Sequence, residues 1–294
     1  MKKKIFFIVN PIAGTGRQKN IEGLIKETLN ADLFDYSLCH TEHIHHGSEL
    51  ARDAADKGYD TVVAVGGDGS IHDVVQGLRG TDLSLGIVPC GSGNGLARAL
   101  KIPLRPQNAL RLLNEQHEEC IDSITVNDSF VCINAAGVGF DAHIARIMKT
   151  LKHRGFSVYT QLVMREFSSY KPHGYQLTLD GQKMERGAWF IAIANGRQYG
   201  YNFSVAPKAL MNDGQFDITI LDRVPLDHIP ITAPLAFMNL LDHSQHAEMF
   251  RGRDLLIEGN NDGWVNIDGE VEKLGKKIHF VINPLSVNLL GRKK

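Results

Sequence analysis

In the first half of the chain, short apolar runs break off at glycine-rich loops and give way to segments of helical spacing. Lys4 to Asn10 (KIFFIVN) is a continuous apolar run, as a strand covered on both faces must be. It stops at Asn10-Pro11-Ile12-Ala13-Gly14-Thr15-Gly16-Arg17, and Gln18 to Leu29 then carries apolar residues at helical spacing. Asp35 to Thr41 reads as a second strand and Ser48 to Lys57 as a helix. Thr61 to Val65 (TVVAV) is a third strand, broken at Gly66-Gly67-Asp68-Gly69-Ser70, and Ile71 to Leu78 continues helically. Leu83 to Val88 is a fourth, and Pro89 to Gly95 turns through Gly91-Ser92-Gly93-Asn94-Gly95 into another helix. Such alternation implies a parallel sheet with right-handed crossovers.

The pattern changes near residue 120. Ile121 to Val131 and Tyr175 to Asn195 read as strands and hairpins, with Asp180-Gly181 as a two-residue hairpin turn. Phe216 to Leu221, Asp254 to Glu258, Trp264 to Ile267 and Lys277 to Ile282 are further strands. Helical insertions are expected over His143 to Phe167 and Leu226 to His243. A chain of 294 residues fits about two domains of roughly 150 each. The expected division is an α/β domain over 1–120 and a β-rich sandwich over 121–283, with 284–294 able to return to the first.

The three glycine loops each lie between a strand's carboxyl end and a helix start, where ligands bind in open α/β sheets. Glycines let backbone approach a phosphate there, and N–H groups at a helix start favour its charge. One such loop is as easily a tight turn; three in successive units point to a phosphate ligand. The spacing is neither GxxxxGK[ST] nor a GxGxxG opening the first helix. Asp68 is the informative residue, because a carboxylate among phosphate-facing amides repels phosphate unless a cation lies between them. It therefore suggests Mg²⁺ bridging and phosphoryl transfer. Two acidic motifs follow, Asn212-Asp213-Gly214-Gln215-Phe216-Asp217 before a strand and Asp268-Gly269-Glu270 between two strands. Either alone reads as a hairpin turn with solvated carboxylates.

Composition excludes several classes. Lys plus Arg total 32 against 33 Asp plus Glu, a net charge of -1, so bulk attraction to nucleic acid is not expected. No run reaches the ~18 apolar residues of a membrane span, and Pro230 and Pro234 interrupt the most apolar late segment. A signal peptide is not expected from the short Ile5 to Val9 run. Cys39, Cys90, Cys120 and Cys132 show no CxxC spacing and read as reduced thiols of a cytoplasmic protein. His40, His43, His45 and His46 read as exposed polar residues rather than a metal site. Lys149, Lys152, His153 and Arg154 are either a solvated helix face or a contact for anionic headgroups. Ile229 to Leu241 is either core or part of a lipid-acceptor pocket, and Arg292-Lys293-Lys294 a solvated tail.

In order, these motifs resemble the diacylglycerol kinase catalytic-domain family, in particular soluble bacterial lipid kinases and the related sphingosine kinases. Asn10-Pro11 with its following glycine resembles the family's first nucleotide loop. Val65-Gly66-Gly67-Asp68-Gly69-Ser70-Ile71 is similar to its GGDGT signature, with Ser for Thr. Ile87 to Ala97, with Gly91-Ser92-Gly93-Asn94, resembles the third motif, and Asn134 to Ala142 the GxGFDA segment. Asp213-Gly214 and Asp268-Gly269-Glu270 complete the series, and the resemblance runs nearly the full length.

The resemblance implies a Rossmann-like, NAD-kinase-like α/β domain and a C-terminal β-sandwich, with the active site in the interdomain cleft. It implies ATP-dependent, Mg²⁺-assisted phosphorylation of a lipid hydroxyl, with diacylglycerol or a related lipid as acceptor. The protein would contact a membrane surface only transiently; a homodimer is left open. Glu270 matches the general base of the bacterial enzymes and Asp68 the residue at the Mg²⁺–ATP phosphates; in sphingosine kinases the equivalent Asp takes the base role, so the assignment stays open. Asn10, Thr41, Gly66, Gly67, Asp68, Gly69, Ser70, Ile71, His72, Ser92 and Asn94 fall at positions resembling nucleotide contacts. Asp213 matches a structural Mg²⁺ ligand, with the carbonyls of Leu210 and Gln215.

Two departures bear on the acceptor. Gly95 stands where many bacterial diacylglycerol kinases carry Asp, as in the sphingosine-kinase version of the motif. Where sphingosine kinases hold their substrate with an Asp, this chain has His143, and Asp141 two residues earlier is the available carboxylate. A sphingoid-base kinase is therefore the alternative acceptor reading. An NAD kinase is the runner-up enzyme, against which the Gly91-Ser92-Gly93-Asn94 loop and the Gly137 to Ala142 segment favour lipid, and a catalytically silent nucleotide- or lipid-binding regulator is opposed by the presence of both Asp68 and Glu270.

Overall fold

The computed structural model describes residues 2–13, 17–151, 155–167, 169–200, 203–259 and 262–290. The first glycine loop's Gly14, Thr15 and Gly16, the basic Lys152, His153 and Arg154, and the tail Arg292 to Lys294 lie outside the described residues. The chain divides into two compact units, Met1–Ile121 with Leu285–Lys294, and Asp122–Pro284.

The first unit is built on strands β1 (Lys3–Val9), β2 (Phe34–His40), β3 (Thr61–Gly66) and β4 (Ser84–Pro89), parallel in the order β2-β1-β3-β4. Helices α1 (Ile21–Thr28), α2 (His46–Asp56), α3 (Asp68–Leu78), α4 (Gly95–Ala99) and α5 (Pro106–Leu113) follow in the connections. Every residue of β3 and β4 is buried, which explains runs without alternation. Each fully buried Val, Ile, Leu or Phe there contributes about 1.5–3 kcal/mol. The register Val9↔His40, Val9↔Val65 and Gly66↔Pro89 brings the carboxyl ends of all four strands to one edge of the sheet. Asp73 accepts the Gly47 amide at 2.9 Å, tying α3 to the start of α2.

Strand β5 (Glu118–Val126) leads into the second unit. There β6 (Phe130–Cys132), β7 (Ala135–Gly139), α6 (Phe140–Thr150), α7 (Phe156–Phe167), β8 (His173–Leu179), β9 (Gln182–Ala188) and β10 (Phe190–Ala194) follow. After them come β11 (Gln198–Gly200), β12 (Phe203–Ser204), β13 (Phe216–Leu221), α8 (Ile229–Phe237), β14 (Ala247–Gly252), β15 (Asp254–Glu258), β16 (Trp264–Ile267), β17 (Glu270–Lys273) and β18 (Lys277–Leu290). One antiparallel sheet has the order β14-β13-β10-β7-β16-β17; in the other β15 lies between β8 and the first part of β18, with β9 beyond β8. Ala136, Val138, Ile191, Ile193, Phe216 and Ile218 of the first sheet share one core with Leu177, Leu255, Ile257, Ile278 and Phe280 of the second, so the unit is a sandwich. The far face of the six-stranded sheet carries α6, α7 and α8 over a second core with Phe140, Leu162, Trp189 and Phe190.

The late residues of β18 return to the first unit, where Leu289 pairs with Leu85 of β4. The hairpin between β8 and β9 turns at Asp180 (φ 48°) and Gly181 (φ 83°), the two left-handed residues such a turn requires. The expected helix over 143–167 is two helices, and only Ile229–Phe237 of the late segment is α-helical. Pro230 opens α8 and Pro234 sits within it. Thr232 and Ala236 turn inward while Ile231 and Phe237 are exposed, so the segment is only partly core. Among the described residues no helix is long and apolar enough to cross a membrane.

Candidate active site

The loops after β1, β3 and β4 meet at the carboxyl edge of the first unit's sheet. Asn10 donates its side-chain amide to Ser70 Oγ at 2.9 Å and accepts the Ile12 amide at 3.0 Å, so the first loop is pinned to the start of α3. Thr41, just past β2, donates its backbone N–H to Val9 at 2.9 Å. Gly67 caps α3 in extended conformation and Asp68 is the helix's first residue. The Cys90 amide donates to Gly66 at 2.7 Å, drawing the third loop against the second. A Cβ on Gly91 would lie 2.5 Å from the Gly67 Cα, and one on Gly67 3.2 Å from the Gly91 Cα. Glycine is required at 91, where a side chain would strike the Gly67 backbone, while at 67 a Cβ would be a tight contact.

The third loop is fixed internally by Asn94. It is 2% exposed at φ 50°, accepts the Gly91 amide at 3.0 Å and donates back to the Gly91 carbonyl at 2.8 Å. Asp68 Oδ1 accepts the Leu96 amide at 3.4 Å, so Asp68 links the second loop to α4, one residue past Gly95. Ser92 is exposed at the loop tip. Ile71 and His72 are buried, and the Ile71 amide donates to Gly67, so neither side chain is presented at the loop edge. The structure therefore gathers Asn10, Gly66, Gly67, Asp68, Ser70 and Asn94. The glycine loops thus pack backbone on backbone at the start of α3, a helix N-terminus whose N–H groups favour the charge of a phosphate.

The second unit holds the other candidates. Glu270 opens β17 and its Oε2 lies 3.3 Å from Lys149 Nζ on α6. Two residues earlier, Asp268 accepts the amides of Ile133, Asn134 and Ala135 at 2.9, 2.9 and 3.0 Å, and the Cys132 thiol at 3.2 Å. Burial and the Asp268 carboxylate push that thiol well up. Asn266 accepts the Gly269 amide at 3.0 Å and donates to Asp141 at 2.9 Å. Burial pushes the Asp141 carboxyl up to about 6, against bonds from Asn266 and Tyr199 that lower it. The turn that presents Glu270 is thus anchored to β7 and to the start of α6. Sequence alone assigns Asn266 and Tyr199 no role, leaves Lys149 as a solvated helix face or headgroup contact, and marks Asp268 only as part of the turn that carries Glu270. His143, where an acceptor-binding Asp was expected for sphingoid bases, is 3.1 Å from Glu166.

Asp213, expected to hold a structural Mg²⁺ with Leu210 and Gln215, has both oxygens engaged. Oδ1 accepts the Gln215 amide at 3.1 Å and Oδ2 accepts from the Arg251 guanidinium. Arg251 also reaches Asp217, with Nε 3.7 Å from Oδ1. The cation beside Asp213 is the Arg251 guanidinium, so an Mg²⁺ taking Oδ2 would have to displace it. Burial, more than the neighbouring Asp213 charge, pushes Asp217 up to about 6 in spite of Arg251.

His43, His46 and Glu49 bring their ligand atoms within 4.8 Å of one another. The two imidazoles are stacked, with ring centroids 4.5 Å apart at 13°. His46 Nδ1 accepts the Glu42 amide at 3.0 Å, which places the ring proton on Nε2. The cluster is not a preformed metal site.

A family model for the diacylglycerol kinase catalytic domain matches residues 4–126, and one for the YegS C-terminal NAD kinase beta sandwich-like domain matches residues 134–290. The chain belongs to this family of lipid kinases. A YegS-like lipid kinase of Pseudomonas aeruginosa is 33% identical over 245 residues, covering 80% of this chain and 78% of that protein. A Mycobacterium tuberculosis diacylglycerol kinase is 29% identical, covering 74% of this chain and 72% of that protein. Against a YegS-like relative of Alcanivorax borkumensis the identity is 34%, but the match spans only 58% of each chain. Such partial spans, under two thirds of the relative, recur among these matches. A solved diacylglycerol kinase from Bacillus anthracis superposes with TM-score 0.73 at 20% identity, covering 99% of this chain and 97% of that one. A yeast NADH kinase complexed with NADH superposes at 0.52 and 11% identity, covering 99% and 84%. The fold of this family member is therefore the α/β domain plus β-sandwich expected from its motifs.

Proposed function

We propose that this lipid kinase transfers the γ-phosphate of ATP to a lipid hydroxyl, with diacylglycerol or a related lipid as the acceptor. The observation that carries the reading is the packing of Gly67 on Gly91 beside Asp68, which brings two glycine loops together at the first turn of α3, where free N–H groups favour phosphate charge. Asn10 and Asn94 hold the two flanks of this packing in place. Mg²⁺ accompanying the nucleotide would neutralise phosphate charge, and in this reading the Asp68 carboxylate would hold it. In this reading Glu270 accepts the proton of the lipid hydroxyl as its oxygen bonds to the γ-phosphorus. The bond from that phosphorus to the β–γ bridging oxygen breaks, and ADP leaves with the bond pair. Asp268 and Asn266 hold the turn that carries Glu270.

The test is transfer of label from γ-labelled ATP with Mg²⁺ into separate mixed micelles of diacylglycerol, sphingosine and phosphatidylglycerol. The expected result is label in diacylglycerol, a loss of at least about a hundredfold in Glu270→Gln with nucleotide binding intact, and weakened nucleotide use in Asp68→Asn. Near-normal turnover by Glu270→Gln would pass the base role to Asp68. Label in sphingosine alone would replace the acceptor, and no label in any lipid would overturn the reading.

A further inference from the structure

Strands β13 and β14 pair with Asp217 directly opposite Arg251. That register delivers the Arg251 side chain from a neighbouring strand to the loop before β13, where it binds Asp213 and approaches Asp217. The loop is held from two other sides. Asp122, fully buried, accepts the Gly214 amide at 2.7 Å, and Arg197 donates to the Ala209 carbonyl at 3.1 Å while its charge acts on Asp217. Two carboxylates, Asp213 and Asp217, thus face two guanidiniums. A dication added between the carboxylates would have to displace Arg251 or lie beside its like charge.

We propose that Arg251 is the resident cation of this loop: its guanidinium fills the place that the family resemblance assigns to Mg²⁺, and the second unit is built without a metal at Asp213. A guanidinium suits the task, since its planar fork can engage two carboxylates at once and cannot lose its charge. Residues 210–217 are then organised by the pairing of β14 with β13 and not by the ion supply. This inference does not depend on the lipid acceptor or on which residue is the base.

Thermal unfolding of the full chain without nucleotide, in millimolar Mg²⁺ against EDTA, tests it. The wild type and Asp213→Asn are expected to respond to Mg²⁺ equally, because any shift they show comes from elsewhere. Arg251→Gln should unfold about 3–6 °C lower in EDTA and regain part of that loss in Mg²⁺, with Arg251→Lys in between. A wild-type midpoint that rises with Mg²⁺ while Asp213→Asn does not would place a metal at Asp213 and overturn the proposal. So would an Arg251→Gln midpoint equal to the wild type's. If Arg251→Gln does not fold, the wild-type and Asp213→Asn pair still decides.

Discussion

Asp141 shows what a single buried carboxyl does to this molecule. Its folded value, about 6, lies above the ordinary 3.8, so the folded chain holds a proton that the unfolded chain has released. Its stabilising contribution is complete below about pH 3.8 and is lost as pH rises through 6. Replacing it with Asn removes the titration while keeping a polar group opposite Asn266 and Tyr199. Urea unfolding of Asp141→Asn should therefore lose part of the wild type's fall in stability between pH 4.5 and 7.5; an unchanged slope would assign that fall to other groups. Asp141 was legible as a member of a motif, but its partners were not, because Asn266 and Tyr199 lie far from it in sequence and reach it only through the sheet. Arg251 was illegible for the same reason. A lone Arg in a strand gives no signal until register sets it opposite Asp217. Asp268 lay inside a recognised motif, yet its work as acceptor for three amides of another segment is a fact of tertiary structure.

At the scale of elements, the continuous apolar strands and glycine loops of the first half could be read directly, because a parallel sheet covered on both faces needs both. The elements that went unread are short, polar or amphipathic. α5 spans eight residues, and β17 (EVEK) is a four-residue edge strand. β14 leaves only Gly252 fully buried, so its alternation is weak. The late apolar segment reads longer in sequence, as Leu226 to His243, than it folds: only Ile229–Phe237 is α-helical, with Pro230 in its first turn and Pro234 inside it. The glycine loops make a sharper prediction than any strand. In Gly91→Ala the new methyl group meets the Gly67 Cα, so the second and third loops must part. Nucleotide affinity should fall at least about tenfold with the far-ultraviolet circular dichroism unchanged, since a misplacement near 1 Å can cost up to a hundredfold. Titration with a fluorescent ATP analogue measures it, and unaltered affinity would remove the phosphate from these loops.

For the molecule as a whole, the division into Met1–Ile121 with Leu285–Lys294 and Asp122–Pro284 means that residues distant in sequence complete one core. Leu289 is fully buried and Leu290 nearly so, and Leu289 sits beside Leu85 of β4. Leu289→Ala should cost about 2–5 kcal/mol, as other large-to-small changes in a core do. The loss should appear in urea unfolding followed through the first unit. A variant as stable as the wild type would show that the returning segment is an accessory to that sheet.

The same returning strand sets an order of events during synthesis. Residues 285–290 leave the ribosome only after the whole of Asp122–Pro284 has been made. At typical elongation rates that is a delay of roughly ten to thirty seconds. Throughout it, the nascent first unit carries β4 without its late partner, an unpaired strand edge of the kind that invites foreign pairing. A ribosome stalled within the second unit would thus release a first-unit fragment with an open sheet, and such fragments should be early clients of chaperones and proteases.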